Sequence, residues 1–379
     1  MDFAFSEDQL AIKDSVARLC AQFDDRYWLK KDKEGGFPED FYRAVADAGW
    51  LGIAMPEEYG GAGLGITEAA IMTQAIAESG AGFSGASAVH MNIFGLNPVV
   101  VFGTQEQKKR MLPPLIAGKE RACFAVTEPN TGLNTRSLKT KAVRDGKNYL
   151  VSGQKVWIST AQVAEKVLLL ARAEAGLTLF YTELDRRHVE VREIEKMGRH
   201  AVDSNQVFFD ALPVPESDRI GEEGKGFEYI LHGMNPERIL IAAELVGLGR
   251  CAVGRAAKYA KERIVFDRPI GQNQSIQHPL AANWMALEAA NLMAFKAASL
   301  YDAAKPCGAE ANAAKYLAGE ACFDACQQAV MTFGGFGYAR EYHVERYLRE
   351  SFVGRIAPVS RELILCFIAE RVLGLPKSY

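Results

Sequence analysis

The sequence predicts an α+β protein built from three consecutive domains. Helical signals dominate residues 1–120, short β-branched or alternating runs occupy 121–226, and Ala- and Leu-rich helical segments return through 227–379. A chain of 379 residues with 49% hydrophobic content can bury more than one core. Helices, then a compact β section, then helices again therefore indicate three regions in one chain.

The N-terminal region carries four predicted helix starts. Ser6–Gln9 and Thr104–Gln107 have the pattern of capping boxes, in which side chains satisfy backbone N–H groups of the first turn. Pro38 suits the first position of another helix. A fourth helix is predicted to begin at Thr67 and to stop near Gly80.

The β region and the last region have equally local signals. Runs such as "FAVTEP", "KVLLLARA" and "LTLFYTEL" are typical of strands, and turn dipeptides separate them. The first long C-terminal helix is predicted to begin in "NPERIL", with Asn235 as the cap and Pro236 at the first position. Glu237 would then lie in the first turn, where a carboxylate favours the helix dipole.

Composition excludes several classes of function. A net charge of -3 argues against nucleic acid as a partner. No stretch is expected to be long and apolar enough to cross a membrane, and the acidic start "MDFAFSEDQL" resembles neither a signal nor a transit peptide. The seven scattered cysteines, including Cys322 and Cys326, are interpreted as reduced core thiols without a metal. We therefore expect a cytoplasmic protein.

Walker, dinucleotide-binding, zinc-protease and nucleophile-elbow motifs are missing from the sequence, and four other stretches are unusual for ordinary packing. "FAVTEPNTG" and "KVWIST" combine hydroxyl groups with apolar surface that suits a flat ring, although a plain turn and a buried structural Trp are open alternatives. "KERIVFDRPIGQNQSIQ" places Arg263 where it could bind a phosphate or complement a helix end. "FGGFGY" allows close backbone approach to a pyrophosphate, or forms a helix cap.

In this order, the four stretches resemble the signatures of the acyl-CoA dehydrogenase family, and the resemblance covers essentially the whole chain. It implies an N-terminal helical domain, a middle β-barrel and a C-terminal four-helix bundle, assembled as a homotetramer that binds FAD. By position, it implies cofactor contacts for the following residues: Phe124, Val126, Thr127, Gly132, Leu133, Trp157, Ser159, Arg263, Phe266, Gln274, Gly334 and Gly335. Arg263, Phe266 and Gln274 match residues that reach the cofactor of an adjacent subunit.

The family's reaction needs a carboxylate base near the flavin, and the usual position is vacant. If Ser360 in "RIAPVSREL" aligns with the motif serine, Ala357 stands where many members carry the acid. A second subgroup, similar to isovaleryl- and long-chain-acyl-CoA dehydrogenases, carries a Glu before an Arg, as Glu237 and Arg238 stand here. Glu237 is therefore interpreted as the base rather than only a capping acid. Substrate contacts are expected from Arg238 and from Ala357, whose backbone N–H is expected to be available to the thioester oxygen.

The resulting hypothesis is FAD-dependent α,β-dehydrogenation of an acyl-CoA thioester in fatty acid metabolism, with electrons passing to electron-transfer flavoprotein. Two alternatives stay open. A flavin oxidase or monooxygenase on the same fold would use oxygen as acceptor, and a silent acyl-thioester-binding scaffold would need no base.

Overall fold

A computed structural model describes residues 4–378. Its N-terminal region is helical, and both predicted capping boxes are present, at Ser6–Gln9 and Thr104–Gln107. The α-helices of this region are α1 (Glu7–Cys20), α2 (Asp25–Glu34), α3 (Glu39–Asp47), α4 (Ile66–Ile76), α5 (Gly82–Phe94), α6 (Asn97–Phe102) and α7 (Gln105–Ile116).

The segment between α4 and α5, Ala77–Ala81, is a π-helical stretch with a kink at Gly80, and the C-terminal region holds it in place. Gly80 adopts φ +103°, so the chain leaves the α-helix near the predicted stop. Arg346 Nη2 donates to the Gly80 carbonyl at 2.6 Å, and Glu350 accepts from the Phe83 N–H at 2.8 Å. Both side chains are buried and pair with each other at 3.2 Å. These contacts fix the start of α5, which contributes to the functional site.

The expectation that no stretch of the sequence is long and apolar enough to cross a membrane was wrong. Residues 66–102 together are long and apolar enough to cross a membrane by length and composition. However, 65% of the most apolar part of this stretch is buried inside the protein. The apolar character therefore serves the core, where Ile66, Met72 and Ile76 pack with α1 and α3.

The middle region is a sheet whose two faces are both buried. Along β4 (Lys166–Ala173), Leu168 and Leu170 pack towards α7 and the start of α8 (Gly226–Glu262), whereas Val167 and Leu169 pack inside the curl of the sheet. The remaining strands are β1 (Ala122–Ala125), β2 (Lys141–Asp145), β3 (Asn148–Ser159), β5 (Gly176–Glu183), β6 (Val189–Glu193), β7 (Ser204–Pro215) and β8 (Arg219–Ile220).

The sheet is not the closed barrel that the resemblance implied. Its hydrogen-bonded order is β6-β7-β3-β2-β4-β5-β8, and β1 pairs in parallel with β4. The edge strands β6 and β8 have only five and two residues, and among the described residues they form no ladder with each other. Helices α6, α7 and α8 cover the sheet next to β5 and β8, so this edge is protected without strand-to-strand closure.

The C-terminal region packs three long helices on one another: α8, α9 (Gln274–Asp302) and α10 (Gly308–Phe333). A broken fourth member follows as α11 (Val344–Ser351), α12 (Val353–Ile356) and α13 (Arg361–Arg371). A short ribbon of β9 (Ile264–Val265) and β10 (Arg268–Pro269) links α8 to α9.

The predicted helix start at Asn235 was wrong. Helix α8 begins at Gly226 and continues through Pro236, which lies in its interior without an N–H to donate to the preceding turn. Gly226 allows this earlier start because a Cβ there would lie 2.5 Å from the Leu179 nitrogen of β5. Glu237 is therefore an interior helix residue, and its carboxylate cannot serve as a first-turn cap.

Candidate functional site

Two of the predicted cofactor stretches are adjacent in the structure. The chain after β1 runs beside β3, where the Thr127 carbonyl accepts from the Val156 N–H at 3.0 Å. Lys155 Nζ donates to the Val126 carbonyl and to Glu128 Oε1, each at 3.0 Å. These bonds hold "FAVTE" and "KVWIS" in one fixed arrangement.

The Glu128–Lys155 ion pair is the internal support of this arrangement. Glu128 also accepts hydrogen bonds from the Lys139 N–H, the Thr140 N–H and the Thr140 hydroxyl. Burial lowers the pKa of Lys155 to about 8 against the attraction of Glu128. Burial acts to raise the pKa of Glu128, but the hydrogen bonds from Thr140 and Lys139 and the Lys155 charge hold it below its usual value. Glu128 belongs to the stretch "FAVTEPNTG" that was predicted to face a ligand, but its carboxylate is enclosed by protein.

Trp157 is displayed by a bulge in β3. The register between β3 and β7 shifts between Lys155 and Ile158, and Trp157 adopts φ +62°. A bulky residue in the left-handed region is strained, and such strain is concentrated at functional sites. The side chain is 59% exposed, so the alternative of a buried structural Trp was wrong. An exposed flat ring next to the half-buried Ser159 fits a flat heteroaromatic ligand.

The loop after Glu128 is open at its tip. Leu133 is 68% exposed, and nothing lies within 4 Å of the position that a Cβ on Gly132 would take. Thr131 Oγ1 is buried and has no hydrogen-bond partner among the described residues. An unsatisfied hydroxyl beside an open glycine fits a ligand with oxygen acceptors, such as the phosphates of FAD. Phe124 and Val126, by contrast, lie half-buried and buried at the base of the loop.

A second group of predicted cofactor residues lies on the surface of the C-terminal region. Arg263 caps the end of α8 through its backbone, and its guanidinium carbon lies 5.6 Å from the Phe336 ring centre. Phe266 is 92% exposed at the tip of the β9–β10 ribbon. Gln274, Gly334 and Gly335 are also exposed, and no atom lies within 4 Å of where either glycine would carry a Cβ. This group is therefore an open, partly apolar surface next to an arginine.

Glu237 is a buried acid in the interior of α8. Only 9% of its surface is exposed, and Oε2 is buried with no hydrogen-bond partner among the described residues. Burial raises the pKa of Glu237 to about 7, while the charges of His90, Arg238 and Lys315 act in the opposite direction. A carboxyl group with a pKa near 7 and a free oxygen is suited to accept and release a proton at neutral pH.

Several buried polar groups near Glu237 were missed by sequence reasoning. Glu244 lies two helical turns further along α8 and is fully buried, with Oε1 2.6 Å from His90 Nδ1 on α5. This contact raises the pKa of His90 although burial acts to lower it. Lys315 is buried on α10 and donates to the Val359 carbonyl at 2.6 Å. The one available signal was a single acid within the apolar run "ILIAAELVGLG".

The predicted substrate contacts have different outcomes. Arg238 lines a cleft of about 300 Å³, together with Asn312, Val359 and Leu363. The Ala357 N–H donates to the Val353 carbonyl at 2.8 Å, so the expectation that it is available to a thioester oxygen was wrong. Helix α12 continues far enough to use this N–H, which the sequence pattern did not indicate.

Three family models match consecutive parts of the chain: the N-terminal domain of acyl-CoA dehydrogenases over residues 6–119, the middle domain over 123–212 and the C-terminal domain over 224–373. The chain belongs to the acyl-CoA dehydrogenase family. It is an FAD-dependent oxidoreductase that acts on acyl-CoA thioesters.

Individual members of the acyl-CoA dehydrogenase family are similar over most or all of the chain. Acyl-CoA dehydrogenase FadE12 of Mycobacterium tuberculosis is 38% identical, with 100% of this chain and 99% of that protein covered. Subunit CarC of the caffeyl-CoA reductase-Etf complex of Acetobacterium woodii is 33% identical over 84% and 86%.

Solved structures show the same architecture. Butyryl-CoA dehydrogenase from Megasphaera elsdenii superposes with a TM-score of 0.94 at 27% identity, covering 98% of this chain and 100% of that one. An FAD complex of PigA gives a TM-score of 0.94 at 25% identity, covering 99% and 100%. The fold that positions Glu237 and the Trp157 bulge is therefore the fold of FAD-binding relatives.

Proposed function

We propose that Glu237 removes the α-proton from the acyl-CoA substrate of this enzyme. The observation that carries the proposal is a buried carboxylate oxygen without a partner, on a group whose pKa is about 7. Bound FAD supplies the acceptor for the β-hydride in this family's reaction. Glu237 would take the α-proton, the bound cofactor would supply the acceptor for the β-hydride, and a 2-enoyl thioester would remain.

Arg238 would guide the thioester towards the base. Its guanidinium lies at the cleft beside α13, and its Nε is buried without a hydrogen-bond partner among the described residues. Within the described part of the chain, Arg238 Nη1 donates only to the Met234 carbonyl and to Asn235, each at 3.3 Å. A cation with unused donors is suited to a polar part of the CoA ester.

The two groups of cofactor residues would act on opposite sides of an interface between copies of the chain. The Trp157 group (Trp157 and Ser159) would hold the flavin ring of its own subunit. The Arg263 group (Arg263, Phe266 and Gln274) would bind the cofactor of a neighbouring subunit, because this group is on the surface of a single chain. Trp284, Met285 and Leu292 add exposed apolar surface on α9. We expect a homotetramer, and light scattering would then give about four times the 41.6 kDa of one chain.

Electron-transfer flavoprotein is the proposed acceptor, and the similarity to a subunit of an Etf complex supports it. A role in fatty acid metabolism and a cytoplasmic location complete the proposal, and both rest on the sequence. The acceptor is tested by comparing reoxidation of the reduced enzyme by electron-transfer flavoprotein with reoxidation by air. Rapid reoxidation in air alone would instead identify an oxidase.

The proposed function is tested by an anaerobic absorbance titration of the purified holoenzyme with acyl-CoAs of increasing length and branching. Bleaching of the flavin band by at least one thioester is expected, and Glu237→Gln should bind the same thioester without bleaching. If the flavin of the variant is reduced as fast as that of the wild type, Glu237 is not the base.

A further inference from the structure

Arg199 is a half-buried cation whose hydrogen-bond partners are neutral. Its guanidinium donates to three serine hydroxyls: Ser159 at 2.9 Å, Ser87 at 3.3 Å and Ser204 at 3.4 Å. Its Nε is buried and has no hydrogen-bond partner among the described residues. Burial lowers the pKa of Arg199, in opposition to the more distant charges of Glu350, Glu244 and Asp203.

Those three acids are already engaged elsewhere. Glu350 pairs with Arg346, Glu244 contacts His90, and Asp203 accepts from the Asn205 amide. A largely desolvated charge that no acid among the described residues contacts is costly, which indicates that an anionic group completes the site. Arg199 also adopts φ +58°, a strained conformation for this residue type.

The position of Arg199 joins the middle region to the N-terminal region. Ser87 belongs to α5, Ser159 ends β3, and Ser204 begins β7 directly opposite Ser159. His90, which interacts with the charges of both Glu237 and Arg199, links the arginine to the proposed base. The guanidinium therefore lies where the Trp157 bulge meets α5, and His90 of α5 contacts Glu244 on α8, the helix that carries Glu237.

The hydrogen bond to Ser159 has a directional consequence. A serine hydroxyl offers one hydrogen and two lone pairs. Since Arg199 donates to Ser159 Oγ, one lone pair is occupied and the hydroxyl hydrogen is left to donate to another group. The positive charge also polarises this hydroxyl and strengthens it as a donor.

We propose that Arg199 is a positioning residue that directs the Ser159 hydroxyl hydrogen towards the flavin and stabilises the reduced cofactor. The inference rests on the proposed placement of the flavin beside Trp157 and Ser159. When the substrate gives its α-proton to Glu237 and its hydride to the flavin, the reduced ring gains a negative charge. The positive charge of Arg199, separated from the ring only by the Ser159 hydroxyl, favours the negatively charged reduced flavin. It therefore raises the reduction potential.

The experiment compares Arg199→Gln, Arg199→Lys and Ser159→Ala holoenzymes with the wild type. Arg192→Gln is the matched control, since Arg192 is an exposed arginine of β6 that pairs with Glu190. FAD content is measured first. The two-electron potential is then measured by anaerobic equilibration with a reference dye, without acyl-CoA.

Arg199→Gln should disfavour the reduced flavin at least tenfold, which is about 30 mV for a two-electron couple. Arg199→Lys keeps the charge, so its equilibrium between oxidised and reduced flavin should stay within about threefold of that of the wild type. The reduction potential of Arg192→Gln should equal that of the wild type. Ser159→Ala should lower the potential in the same direction. Arg199→Gln should lower the reduction potential less in the Ser159→Ala background than in the wild-type background, since both changes act through the same hydrogen bond.

An FAD-loaded Arg199→Gln with the wild-type potential would overturn the proposal. If that variant also lost its preference between carboxylate-bearing and neutral acyl-CoAs, Arg199 would be assigned to the substrate instead. If Arg199→Gln does not fold, an unchanged potential in Ser159→Ala overturns the proposal in its place. Because dye equilibration needs no acyl-CoA, the result does not depend on whether Glu237 is the base.

Discussion

Replacing Glu237 tests the site most directly, because its predicted behaviour has a pH signature. With a pKa of about 7, the carboxylate is roughly one-tenth ionised at pH 6 and nine-tenths ionised at pH 8. With an acyl-CoA that reduces the flavin, the rate of flavin reduction should therefore be about tenfold slower at pH 6 than at pH 8. A carboxyl group with the ordinary value of 4.5 would give nearly equal rates.

Anaerobic stopped-flow absorbance measures this rate directly. Glu237→Gln should reduce it by at least about a hundredfold at pH 8 and remove the pH dependence. Glu237→Asp should reduce the flavin more slowly than the wild type but keep the pH dependence of the rate. The variant still has a carboxyl group, although that group lies at a different distance from the substrate. Glu228→Gln is the matched control, because Glu228 is an exposed acid in the first turn of the same helix.

Stability provides an independent check that Glu237→Gln is folded. The pKa of Glu237 rises on folding from 4.5 to about 7, so the folded state holds the proton more tightly. This contribution is fully present below about pH 4.5 and is lost as pH rises through 7, and the ionised group then costs about 3 kcal/mol. Glu237→Gln should therefore gain stability over the wild type between pH 5 and pH 8. Equal rates at pH 6 and pH 8, or a variant with more than a tenth of wild-type activity, would refute the assignment.

Three further predictions concern the frame of the site. Lys155→Met leaves the Glu128 carboxylate buried without its cation and should destabilise the protein by about 3–5 kcal/mol in urea unfolding, and the added change Glu128→Gln should recover part of this loss. Arg263→Ala should lower the FAD retained after gel filtration, and unchanged flavin content would contradict its role. His200 Nδ1 lies 3.3 Å from Asp32 Oδ1, and this contact raises the pKa of His200 to about 9. The stability that the pair contributes is therefore present below about pH 6.5 and lost as pH rises through 9, and His200→Gln should remove this pH dependence of the melting temperature. A wild-type protein with the same melting curve at pH 7 and pH 10 would contradict that reasoning.

The fold was predicted from local patterns wherever neighbours in sequence carry the signal. The capping boxes at Ser6 and Thr104 and the change from helical to alternating periodicity depend only on residues a few positions apart. The start of α8 was mispredicted for the same reason. Asn235 and Pro236 form a convincing local start, but the close approach of Gly226 to β5 allows the helix to begin earlier.

By itself, the sequence determined the family, the cofactor class and the candidate base, because "FAVTEP", "KVWIS" and Glu237-Arg238 are short motifs with a fixed order. Only the tertiary structure decided which groups surround them. Glu128 turned inward to Lys155, the Ala357 N–H was used by α12, and Arg199 reached Ser159. Burial and charge around a side chain come from segments far apart in the chain, and these long-range contacts set pKa values and hydrogen-bond direction. Local spacing cannot encode them.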